Sequence, residues 1–83
     1  TRNAQVYATL TMCRALYTVR NGDFVSKRQA ALWAAREMPE WRSLIENALR
    51  AWREDWYNDQ MDHQATLPDT RRFVNAVIDR IVD

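Results

Sequence analysis

Gly22 is the only glycine among 83 residues, and Pro39 and Pro68 are the only prolines. A sheet of several strands needs turn residues every few positions, so a chain this poorly punctuated is expected to be helical. The apolar residues agree, recurring at helical rather than alternating spacing. Val6, Leu10, Cys13 and Tyr17 fall on one face at steps of four, three and four, predicting a first helix over about 3–20. Asn21-Gly22-Asp23 ends it, because glycine tolerates the left-handed geometry of a helix C-terminus. Ser26-Lys27-Arg28-Gln29 matches a capping box, in which the Ser hydroxyl takes one free amide and Gln reaches back to another. A second helix is therefore expected over 27–38, carrying Ala30, Ala31, Trp33, Ala34 and Met38. Pro39 suits the first turn of a third, over 39–56, with Trp41, Ile45, Ala48 and Trp52 on one stripe and Leu44 and Leu49 beside it. The polar stretch Asn58–Leu67 reads as a linker or a fraying helix end. Pro68-Asp69 then opens a last helix over 69–82, with Phe73, Val77 and Ile81 buried and Val74 and Ile78 beside them. The expected fold is one all-α domain, a four-helix array or bundle covering residues 1–83.

Composition narrows what such a domain can do. Hydrophobic residues make up 47% of the chain and nine aromatics supply large surfaces to bury, so the chain is no disordered tail. Its core must still be thin, since a domain of this size buries roughly 60–65% of the surface its unfolded chain exposes. Twelve basic and eleven acidic side chains are interleaved, with a net charge of +1, which argues against a nucleic-acid partner. Cys13 stands alone and leaves no disulfide or Cys-x-x-Cys pair, so the expected setting is cytoplasmic. No apolar run approaches the ~20 residues of a membrane helix, and no secretory leader is visible, so no membrane role is expected. A start at Thr1 rather than Met fits a processed, trimmed or excised piece of a longer protein.

Catalytic constellations are scarce. There is no Gly-rich phosphate loop and no HExxH, and one histidine, His63, in a polar segment where it is expected to face solvent. Cys13 lies on the apolar face of the first helix, where a thiol behaves as a small hydrophobe. A second stripe on that helix, Asn3, Tyr7, Thr11 and Arg14, either lines a cleft or forms an amphipathic boundary with Arg14 snorkelling to water. Lys27 sits in the first turn of the second helix, against the dipole. A bound anion would relieve that conflict, although a surface lysine in such a place also occurs without function. Trp33 and Trp41 belong with the core. Trp52 and Trp56, one turn apart, serve either packing or stacking on a ligand ring.

The run YATLTMCRALYTVRNGDFVSKRQAALWAAREMPEW, from Tyr7 to Trp41, resembles the C-terminal helical domain of the aminoglycoside adenylyltransferases that modify streptomycin and spectinomycin. Leu10, Arg14 and Tyr17, Gly22, Ser26-Lys27, Ala30-Ala31, Trp33 and Pro39 carry the resemblance, which extends more loosely through Ala48-Leu49-Arg50-Ala51-Trp52 and the last helix. It implies the C-terminal part of a two-domain nucleotidyltransferase whose N-terminal domain holds the Mg ions and the catalytic carboxylates, leaving no catalytic or metal-binding residue in this chain. The implied reaction moves AMP from ATP to an antibiotic hydroxyl, conferring resistance. By the resemblance Arg14 and Lys27 contact the ATP phosphates, and Trp52 takes the place of a tyrosine bordering the nucleotide, keeping the stacking surface but not the hydroxyl. Asn3 and Tyr7 lie nearest the aminocyclitol. Members active on streptomycin and spectinomycin carry acidic and His side chains in this region, where this chain reads Asn3, Ala4 and Tyr7. Two other readings stay open: a stand-alone helical interaction module, and the helical domain of a nucleotidyltransferase with another acceptor. If helices preceding Thr1 are missing, their docking face is exposed and the isolated fragment is expected to dimerise.

Overall fold

A computed structural model describes the backbone of residues 2–53 and 63–82 and the side chains of residues 4–53 and 67–82. Four helices are present among them: α1 (Arg2–Asn21), α2 (Lys27–Glu37), α3 (Arg42–Arg53) and α4 (His63–Val82), with one 3-10 turn, Pro39–Trp41, before α3. The all-α expectation holds. α1 is the central element and packs against α2, α3 and α4, while α2 also packs on α3.

Each boundary has a local cause. Gly22 adopts φ +70, and its N–H donates to the Thr18 carbonyl at 2.8 Å, closing α1 in the expected left-handed stop. Ser26 is extended, at φ −65 and ψ 161, and its Oγ accepts from the Gln29 amide at 3.1 Å. That bond starts α2 where the capping motif places it. α2 stops at Glu37, one residue earlier than expected, because Met38 precedes Pro39 and is pushed out of the helical region, to φ −129 and ψ 73. Its N–H still donates to Ala34 O at 2.8 Å.

Two expectations about the later helices need correction. The third does not begin as α-helix at Pro39: Trp41 N–H bonds Met38 O at 2.9 Å in a 3-10 turn, and α3 proper starts at Arg42. The last does not open at Pro68. It opens at His63, so residues 63–67 of the expected linker are helical and Pro68 lies inside α4. Proline there forgoes one amide bond back to the Gln64 carbonyl, and Phe73 and Val77 are fully buried further along the same helix. The expected continuation of the third helix to residue 56, and the 58–62 part of the linker, lie outside the described residues.

The core takes Val6, Leu10, Cys13 and Leu16 from α1, four alanines from α2, Met38, then Ile45, Ala48 and Leu49 from α3, with Phe73 and Val77 from α4. The alanines (Ala30, Ala31, Ala34 and Ala35) bring α2 close to α1 without displacing larger side chains. Tyr17 is only half-buried and meets Trp33 edge to face, with centroids 5.2 Å apart, while Trp41 meets Phe73 the same way at 5.5 Å. Trp52 departs from its stripe, for it is 37% exposed. Three buried polar residues escape a reading of apolar periodicity. Thr70 Oγ1 donates to Gln5 Oε1 at 3.1 Å, tying α4 to α1, and Thr9 Oγ1 donates to the Gln5 carbonyl at 2.9 Å. No described helix is long and apolar enough to cross a membrane.

Candidate functional site

The outer face of α1 carries Tyr7, Thr11, Arg14 and Thr18, three or four residues apart and so stacked along one edge of the helix. The turn after α1 returns Phe24 and Lys27 alongside that edge. With Ala15 and Val19 these residues line an open groove of about 480 Å³, within the range of small-molecule sites. The polar stripe, from Tyr7 onward, therefore borders an open groove. Its charged lining residues, Arg14 and Lys27, are both cations, and the free amides at the start of α2 lie next to Lys27, adding positive potential.

Lys27 also ties three helices together. Its Nζ lies 5.2 Å from the Tyr7 ring centroid and 5.6 Å from that of Trp52, within cation–π range of both. Tyr7 comes from α1, Lys27 from α2 and Trp52 from the last turn of α3. Four of the sequence-derived candidates thus converge: Arg14 and Lys27 share a groove with Tyr7, and Trp52 joins them through the Lys27 ammonium. Asn3 sits in α1 by its backbone, and its side chain lies outside the described residues, as does that of His63. Trp56 lies outside them entirely.

Phe24 and Val19 belong to the groove and were not legible as site residues. Phe24 is 79% exposed in the α1–α2 turn, where its N–H donates to Asp23 Oδ1 at 2.7 Å. The available signal was its position, a large aromatic outside every apolar stripe, between the helix-stopping glycine and the cap.

Cys13 is buried on the inner side of α1, and desolvation pushes its thiol up to about 12, against a smaller lowering by a backbone hydrogen bond. It stays protonated and is no nucleophile. Among the described residues no group of three His, Cys, Asp or Glu side chains is placed to hold a metal ion. A second cavity, about 370 Å³, lies between α1, α3 and α4. It opens on the opposite side of α1 from Tyr7 and Arg14, and several of its polar side chains are engaged within the fold: Thr70 with Gln5, Asp69 with Arg72 at 2.7 Å, and Glu40 with Arg80 at 3.5 Å.

Comparison with known proteins gives one family. Its sequence model, described as aminoglycoside adenylyltransferase, C-terminal domain, matches residues 1–80. No curated protein and no solved structure matches the chain.

Proposed function

Since the chain belongs to the aminoglycoside adenylyltransferase C-terminal domain family, we propose that it is the nucleotide- and acceptor-gripping helical part of an enzyme that transfers AMP from ATP to an antibiotic hydroxyl. The observation that carries this reading is the placement of Arg14 and Lys27, from two different helices, in one groove. Arg14 offers a planar fork of donors suited to phosphate oxygens, and Lys27 offers a compact point charge. Trp52 borders the nucleotide with its exposed face, and Asn3 and Tyr7 lie towards the acceptor.

In the proposed reaction the acceptor oxygen bonds to the α-phosphorus of ATP as the bond from that phosphorus to the bridging oxygen breaks. Pyrophosphate leaves, and the hydroxyl proton passes to a base in an N-terminal nucleotidyltransferase domain. Mg ions, held by carboxylates of that domain, supply charge neutralisation at the phosphates. Residues of this chain orient the triphosphate and stabilise the charge that builds on pyrophosphate as it departs. The consumption of ATP fits a cytoplasmic enzyme. The neutral trio Asn3, Ala4 and Tyr7 gives a cationic drug fewer charge-assisted bonds than carboxylates would, so the acceptor must draw its acidic contacts from the partner domain or be a less cationic hydroxyl compound.

The test is AMP transfer from ATP to streptomycin and to spectinomycin by the gene product that carries this domain. Lys27→Ala and Arg14→Ala should each lower kcat/KM by roughly ten- to a hundred-fold, the loss of one hydrogen bond to a charged group, with the helical content unchanged. Unaltered kinetics in Lys27→Ala would remove Lys27 from the site. ATP binding without transfer to either drug would keep the nucleotide assignment and send the acceptor search to other hydroxyl compounds.

A further inference from the structure

Two rings from two helices meet one ammonium from a third, and burial is not what holds them there: Tyr7 is 63% exposed and Trp52 37% exposed. Lys27 is the first residue of α2, where the positive end of the helix repels a cation. A solvated lysine side chain is also free to swing through many rotamers. The faces of Tyr7 and Trp52, at 5.2 and 5.6 Å, oppose both tendencies, since each presents its negative π surface to the ammonium. Because Tyr7 lines the groove together with Arg14 and Lys27, the ammonium is held on the groove side.

We infer that Tyr7 and Trp52 are positioning residues for Lys27, holding its ammonium beside the groove so that an oligophosphate meets a cation already fixed in place. The inference rests on the phosphate-binding reading above and gives Tyr7 a task separate from any contact with the acceptor. What Tyr7 contributes is its ring face, not its hydroxyl. Fixing a flexible ligand-binding group before the ligand arrives strengthens binding by sparing the ordering cost at the moment of association. Were the rings instead to park Lys27 away from the phosphates, their removal would tighten binding, so the sign of the effect separates the two arrangements.

The experiment is calorimetric titration of the full-length gene product that carries this domain with inorganic tripolyphosphate and, in parallel, Mg-ATP, at one low ionic strength. The variants are Lys27→Met, Tyr7→Phe, Tyr7→Leu, Trp52→Leu and the double variant Tyr7→Leu with Lys27→Met. Circular dichroism checks that these changes at exposed rings leave the helices formed. Lys27→Met should weaken both ligands most. Tyr7→Phe should match the parent, whereas Tyr7→Leu and Trp52→Leu should each weaken both ligands about two- to five-fold, the worth of one exposed cation–π contact. In the Lys27→Met background Tyr7→Leu should have no further effect, which a merely structural role would not produce. Without ligand, the Lys27 ε-methylene protons should be shifted upfield by the ring currents, and the shift should shrink in Tyr7→Leu. If Lys27→Met weakens tripolyphosphate but Tyr7→Leu leaves it unchanged or tightens it, the positioning role is wrong and the phosphate site stands. If Lys27→Met binds tripolyphosphate as the parent does, or the parent does not bind it, the phosphate reading fails and the positioning role falls with it.

Discussion

Cys13 shows how strongly this small core sets the behaviour of one side chain. Burial disfavours its thiolate and pushes the thiol up to about 12 from an ordinary value of 9.0. A folded-state pKa raised above the unfolded value means that the native state retains a proton the unfolded state gives up. Cys13 therefore adds no pH dependence below about 9, and stability attributable to it falls as pH rises from about 9 towards 12. Urea midpoints measured over pH 8–11 should decline more steeply for the parent than for Cys13→Ala, whose difference from the parent cancels the tyrosine and lysine titrations common to both. Parallel curves would show that the thiol is reached by water. The candidate ligands behave oppositely: Tyr7, Arg14 and Trp52 are exposed and Lys27 is half-buried, so substitutions there should move binding far more than folding. Their residue types and positions were legible in the sequence, because spacing places Tyr7 and Arg14 on one edge and the resemblance singles out Lys27 and Trp52. Their meeting was not legible, since periodicity relates residues within a helix and says nothing about which rings from α1 and α3 close on an ammonium from α2. Phe24 was missed for a related reason: a lone exposed aromatic in a turn matches no pattern until the groove beside it is seen.

At the scale of elements, the ends of α1 and α2 were readable because they are local chemistry. Gly22 carries the one positive φ among the described residues, at 70°, and a Cβ added there would meet nothing within 4 Å. Gly22→Ala should therefore cost backbone strain alone, about 1 kcal/mol, seen as a lowered urea midpoint with an unchanged slope. A larger loss would mean that the turn has to move. Ser26→Ala removes the acceptor for the Gln29 amide and should cost about 1 kcal/mol, largely recovered in Ser26→Asp. Because Lys27 is the next residue, fraying of this turn should also weaken tripolyphosphate binding, and Ser26→Thr, which keeps a capping hydroxyl without placing a carboxylate beside the anion, should restore the affinity along with the stability. The start of α4 was not readable. Pro68 reads as a helix opener because proline suits a first helical position, and nothing in the apolar pattern shows that residues 63–67 carry the helix ahead of it. The 3-10 turn over Pro39–Trp41 was hidden for the same reason, because proline at a first helical position fits either kind of helix.

At the scale of the whole molecule, α1 holds the fold together with its inner face and presents the site with its outer one. The inner face is fixed by core residues from every helix, and Phe73 is among the largest of the fully buried side chains. Phe73→Ala should cost about 3–5 kcal/mol, a large share of the ~5–15 kcal/mol by which such domains are stable. It should lower the thermal midpoint by more than ~10 °C, with the near-ultraviolet circular dichroism of the adjoining Trp41 lost at that lower transition. Retention of a cooperative transition near that of the parent would contradict the assigned core. The all-helical architecture follows from scarce turn residues and steady periodicity, so the fold was largely visible in advance, whereas the groove exists only once α2 is laid against α1. In the proposed function this outer face of α1, and not the cavity on its inner side, receives the phosphates. Amide chemical shifts of this domain, labelled segmentally within the full-length gene product, would show during titration with Mg-ATP where the nucleotide sits. Shifts are expected along the Tyr7–Thr18 edge and through Phe24, Lys27 and Arg28, weakened in Lys27→Met. Shifts centred instead on Gln5, Asn47 and Thr70, or none at all, would contradict this placement.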